Sequence, residues 1–167
     1  MEKIQSTVTT VVSRIKENAP ARSLFFCPCG NFEGLAMRVR PNSSHFGLFI
    51  AADASEVSNE RIRAVANVLL GRGLACLCTW GPDCERVHDS FDFADLEFDP
   101  QGKRGVIMTT WHDDEPLSEA VWYFLSAAFP DDSYQKTCLD WIVAGVGTDQ
   151  WNETVRTETT KVASQEN

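Results

Sequence analysis

The chain has 167 residues, 43% of them hydrophobic and 23% charged, and a formal net charge of −9. That length and composition fit one globular domain whose core needs neither a disulfide nor a metal to hold it. The acidic balance excludes a general nucleic-acid or anionic-membrane binder, because phosphate binding needs clustered Lys and Arg. A cationic ligand or a basic partner fits it better, and plain solubility is the simpler account.

No apolar run approaches the roughly 18–20 residues needed to span a bilayer. Met1 to Val12 has one early Lys but no continuous apolar core and no cleavage pattern, so no secretory signal is expected there. The six Cys are then expected to be reduced, and the protein cytoplasmic.

Residues 1–20 carry Val8, Val11, Val12 and Ile15 at near-helical spacing, which predicts a short amphipathic helix or arm ended by Pro20. Leu24-Phe25-Phe26-Cys27 reads as a strand, Pro28 to Gly34 as a turn region, and Leu35 to Val39 as a half-exposed strand. Phe46 to Ala52 is a continuous apolar run ending at Asp53, as a buried parallel strand requires. Ser58 is a suitable N-cap for a helix with Ile62, Val65, Ala66 and Leu69 on one face, ended by Gly71 and Gly73.

Leu74 to Thr79 is the next buried strand. Trp80-Gly81-Pro82 breaks it and opens a helix with Asp83 and Glu85 in its first turn, where they face the positive end of the helix dipole. That helix carries Val87 and Phe91 and is expected to dissolve over Asp92 to Pro100. Val106 to Thr110 is a third strand. Pro116 opens a helix with Leu117, Val121, Phe124, Leu125 and Ala128 on one face. Trp141 to Val146 is a fourth apolar run, Trp151 and Val155 mark a short docking helix, and 157–167 reads as a flexible polar tail.

Strand–helix alternation at this spacing predicts one α/β domain over 21–156, with three layers in a Rossmann-like arrangement. Its sheet is mostly parallel, with four core strands, and 24–39 is the candidate for an antiparallel edge pair. No G-x-G-x-x-G follows a strand and no G-x-x-x-x-G-K-[ST] is present, so dinucleotide binding and P-loop chemistry are not expected. No cofactor is expected either.

Trp80-Gly-Pro-Asp-Cys-Glu-Arg-Val-His-Asp89, Thr109-Thr-Trp-His-Asp113 and Glu119-Ala-Val-Trp-Tyr-Phe124 resemble a family of small uncharacterised bacterial α/β domains. The resemblance covers Phe46 to Val146. It implies a bacterial, cytosolic, stand-alone domain and transfers no catalytic residue.

Ligands of open α/β sheets bind outside the carboxyl ends of the strands. Those ends are Asp53, Trp80 through His88, Trp111 through Glu115, and Gly145 through Gly147. If the second and third strands are neighbours, two Trp, two His and several acids converge on one rim. The ligand-binding candidates are Asp53, Trp80, Asp83, Glu85, Trp111 and Asp114, with the tryptophans as a stacking platform or as lids on the core. The catalytic candidates are Cys84, His88, His112 and Asp113. Cys84 lies in the first turn of a helix, where the dipole lowers a thiol pKa, and His112 would be its base with Asp113 or Asp53 orienting the ring. Cys84, His88 and His112 with an Asp match no standard zinc spacing, so a metal is not expected. Trp122 and Trp141 are expected in the core, and an Arg86 pair with Asp83 or Asp89 on the surface. The reading is a binding module for a small ligand or basic protein partner, without nucleic acid or membrane. A small hydrolase-type enzyme using Cys84, a His and an Asp, or a metal-assisted variant of it, is the alternative.

Overall fold

The apolar run Phe46 to Ala52 becomes a central strand because both of its faces are covered. The computed structural model describes residues 1–8 and 21–165. Its elements are β1 (Glu2–Val8), β2 (Arg22–Cys29), α1 (Glu33–Arg38), β3 (His45–Ala52), α2 (Asn59–Leu70), β4 (Leu74–Trp80) and α3 (Cys84–Phe98), followed by β5 (Met108–His112), α4 (Leu117–Trp122), β6 (Cys138–Val146) and α5 (Asp149–Gln165). One π-helical turn, Tyr123–Ala127, extends α4.

Among the described residues, six strands form one mixed sheet in the order β1-β2-β6-β3-β4-β5. Of these described strands, only β1 runs antiparallel, against β2. Successive strand residues feed two separate cores. Leu48, Ile50, Leu77, Ile142 and Ala144 pack with Leu35, Ile62, Val87 and Phe91 of α1, α2 and α3. Phe49, Ala51, Cys78, Trp141 and Val143 pack with Leu117, Val121, Phe124 and Val155 of α4, its π turn and α5. The helix after β4 and the helix after β5 therefore leave the sheet toward opposite faces. Adjacent strands whose chains part in this way open a crevice at their carboxyl ends.

Several elements differ from expectation. The antiparallel edge pair exists, but β1 and β2 form it, and residues 24–27 lie in β2, which also runs parallel to β6. The parallel strands are thus five. Leu35 to Val39 is mostly helix: Leu35 and Val39 are buried one helical turn apart while Met37 is 63% exposed, so the period is four and not two. α3 does not dissolve at Asp92 but continues to Phe98, because its acids are partnered. Thr109 donates to Asp92 at 2.8 Å and Arg104 to Asp95 at 2.7 Å. The polar tail from 157 is, to Gln165, the second half of α5, anchored by buried Thr159, Val162 and Ala163. Of the helix or arm expected over 1–20, Glu2–Val8 is instead strand β1, and residues 9–20 lie outside those described. Ser58 caps α2 as expected, accepting from the Arg61 amide.

Candidate functional site

Strands β4 and β5 are paired, with Trp80 the register partner of His112. The two strand-to-helix corners meet at one rim, and the end of β3 joins them, Ala51 being the partner of Trp80 on the other side. Gly81 makes the approach possible. Its φ is +108°, and a Cβ there would collide with the Ala52 carbonyl.

Alternation along β5 sends Thr109 and Trp111 to one face and Thr110 and His112 to the other. On the α3 face, His88 is buried, its Nδ1 3.0 Å from Asp89 Oδ1 and its Nε2 3.1 Å from Thr109 Oγ1. The Trp111 ring lies against it with centroids 4.7 Å apart. On the α4 face, His112 is buried, its Nδ1 3.2 Å from Glu115 Oε2 and its Nε2 3.1 Å from Thr110 Oγ1. Thr110 donates in turn to Cys78 Sγ at 3.1 Å. Carboxylate, imidazole, hydroxyl and thiol thus stand in line, ending beside a cavity of about 60 Å³. Trp80 shares this face, its indole N–H donating to the Glu115 carbonyl at 2.8 Å and its ring 5.7 Å from that of Trp151.

The two His and two Trp therefore reach one rim but not one pocket. His88 pairs with Trp111 on one side of the sheet, and His112 stands with Trp80 on the other. Cys84, His88 and His112 do not assemble as a ligand set, and among the described residues no group of three or more His, Cys, Asp or Glu is arranged to hold a metal.

Cys84 is buried at the start of α3. Burial pushes its thiol up, and this outweighs the backbone N–H groups of His112, Cys84 and Glu85 that favour the thiolate. The lowering expected from the helix dipole is overridden. Asp83 has φ +64° and accepts from Arg86 at 2.7 Å. Arg86 does more than pair on the surface: it also donates to the Val57 and Ala54 carbonyls and to Asn59, and so binds the β3–α2 loop to α3. Asp53 is exposed and closes its own turn through Ser55, whose hydroxyl and amide hold its carboxyl below the usual range. Glu85, Asp113 and Asp114 are exposed.

Beside the β5 end, α4 and α5 enclose an open cleft of about 600 Å³. Glu115, Glu119, Trp122 and Tyr123 line it from the α4 side, and Val162 and Gln165 from α5. Glu119, Trp122 and Tyr123 stand at i, i+3 and i+4 and share one helix face. Trp122, expected in the core, is 45% exposed here, whereas Trp141 is fully buried. Glu115 joins rim to cleft, since its carboxylate meets His112 and its carbonyl holds Trp80. The sequence reading omits Glu119, Trp122 and Tyr123 as cleft residues, and Cys78 and Thr110 as members of the His112 line. The i, i+3, i+4 spacing along α4 is the signal that marks the first three.

A family model described as Domain of unknown function (DUF7684) matches residues 36–161. The chain belongs to that family. The match runs from within α1 into α5, so the whole rim and most of the cleft lie inside the DUF7684 region, while β1 and β2 lie outside it. No curated protein and no solved structure matches the chain.

Proposed function

We propose that this DUF7684 domain is a binding module for a cationic group, an amine or a guanidinium, carried by a small ligand or a basic protein partner. The acidic and aromatic cleft between α4 and α5 is the observation that carries the reading. Carboxylates of Glu115 and Glu119 attract the charge. The faces of Trp122 and Tyr123 add cation–π attraction, about 0.5–1 kcal/mol at an exposed site. Asp113 and Asp114 precede Glu115 in the same turn and deepen the negative potential, and the net charge of −9 steers cations inward.

The enzymatic alternative with Cys84 as nucleophile draws less support, because its thiol is buried and raised and meets the His112 backbone N–H rather than the imidazole. We further read the fold as three-layered and Rossmann-like, which the two separate cores support. We read the protein as cytoplasmic, since six free, buried thiols suit a reducing compartment.

Calorimetric titration with spermidine and with a Lys/Arg-rich peptide tests the binding. Heat that fades with added salt and an affinity reduced several-fold by Glu119→Gln or Trp122→Ala are expected. Both side chains are exposed, so these variants keep the fold. No heat with either probe removes the reading.

A further inference from the structure

β5 is the last strand of the sheet and pairs only with β4 among the described residues. An open strand edge is a template for another strand, and proteins that keep such an edge free place charges, proline or a bulge on it. The segment Gly105-Val-Ile-Met-Thr-Thr-Trp111 carries no charge and no proline. Its most exposed side chains are apolar: Val106 is 64% exposed, Met108 39% and Trp111 44%, and Phe129, which lines the Cys78 cavity with Met108, is 44% exposed. The opposite edge contrasts with it. There β1 begins with Glu2 and Lys3, and Glu2 is tied to Arg156 at 2.9 Å.

Charge along the β5 segment selects the occupant. Lys103 and Arg104 stand at its start, and Asp113 and Asp114 at its end. A second β5 laid antiparallel about a two-fold axis at Thr109 faces its own acidic end to the basic end of the first. Residue pairs then sum to 218, which sets Arg104 against Asp114 and Trp111 against Ile107. Thr109 lies on the axis. The carbonyl of Thr110 accepts from Thr79 on β4, so by alternation the Thr109 backbone groups point outward, as a hydrogen-bonded pair on the axis needs. Moving the axis two residues either way sets the acids against Ile107 to Thr109 or the bases against Thr110 and Trp111. We infer that two copies of this chain join through antiparallel β5 edges into one continuous sheet, with the register fixed by Lys103 facing Glu115 and Arg104 facing Asp114 of the other copy. This interface is isologous, so every contact occurs twice. It does not rest on the cationic cleft.

Sedimentation equilibrium of the full chain over a concentration series tests it. The expected mass is that of two chains. Val106→Lys and Trp111→Glu, both at exposed positions, give one-chain mass with an unchanged circular dichroism spectrum. Lys103→Glu or Glu115→Lys alone weakens the dimer several-fold to about tenfold, because each substitution counts twice, and the two together restore it. One-chain mass at every concentration overturns the inference. A two-chain mass that survives Val106→Lys and Trp111→Glu overturns it as well, and so does a charge exchange that fails to restore association.

Discussion

The indole N–H of Trp80 donates to the backbone carbonyl of Glu115 at 2.8 Å. This bond fastens the end of β4 to the turn that enters α4. It thereby holds in place the residue whose carboxylate meets His112 and lines the cleft. Trp80→Phe keeps a ring against Trp151 and removes the donor. Stability should fall by about 1 kcal/mol, the net worth of one such bond, and spermidine affinity should fall with it. Urea denaturation and titration of the same variant check the two effects. An unchanged affinity would detach the bond from the cleft.

Arg86 is the clasp of the rim's other side. Its guanidinium reaches Asp83, Asn59 and the carbonyls of Ala54 and Val57. Lys supplies a point charge without the planar fork and cannot serve these acceptors together. Arg86→Lys should cost about 2–3 kcal/mol, two or more hydrogen bonds with charged character. The midpoint of urea unfolding reads this directly. A loss under about 0.5 kcal/mol, the scale of an isolated surface pair, would show that only the Asp83 contact matters.

Alkaline pH should destabilise the fold through its thiols. Burial pushes Cys138 up to about 12 from an ordinary value of 9.0. Cys76 is raised by its contact with Cys78 and by burial, and Cys84 by burial. A thiol raised in the folded state keeps its proton after the unfolded chain has lost it. The folded form then binds more protons, so stability is complete below about pH 9 and falls as pH rises toward 12. Each such thiol contributes a slope of about 1.4 kcal/mol per pH unit within that window. Cys138→Ala should lower stability at pH 7 yet flatten the decline above pH 9. Urea midpoints across pH 7–11 for both proteins measure it, and parallel declines would contradict the account.

The buried strands and α2 are legible in the sequence because their apolar patterns arise from full coverage or a single covered face. Phe46 to Ala52, Leu74 to Trp80 and the stripe Ile62, Val65, Ala66 and Leu69 fold as their periods dictate. β1 is not legible, since an edge strand such as Glu-Lys-Ile-Gln-Ser-Thr-Val needs no apolar run. α1 is misread because Leu35 and Val39 fit both periods, and only the exposure of Met37 separates them.

At the site, the meeting of the two corners is legible only as a condition on strand order. The division of the rim is within reach of the sequence. Trp111 and His112 are consecutive in one strand and must face opposite sides, whatever the sheet around them. The cleft is harder to see. Trp122 sits in the run Ala-Val-Trp-Tyr-Phe-Leu and reads as core. Its surroundings are set by Val162 and Gln165 of α5, about forty residues away, which no local pattern reports.

The cleft is the centre of this account, and an amide chemical-shift titration of the full chain with spermidine tests it most directly. Shifts concentrated at Glu115, Glu119, Tyr123 and Val162 and at the Trp122 indole, weakened by Glu119→Gln and suppressed by salt, are the predicted result. Saturating spermidine without shifts there, or with shifts confined to the Asp53 and Glu85 side of the rim, would contradict it.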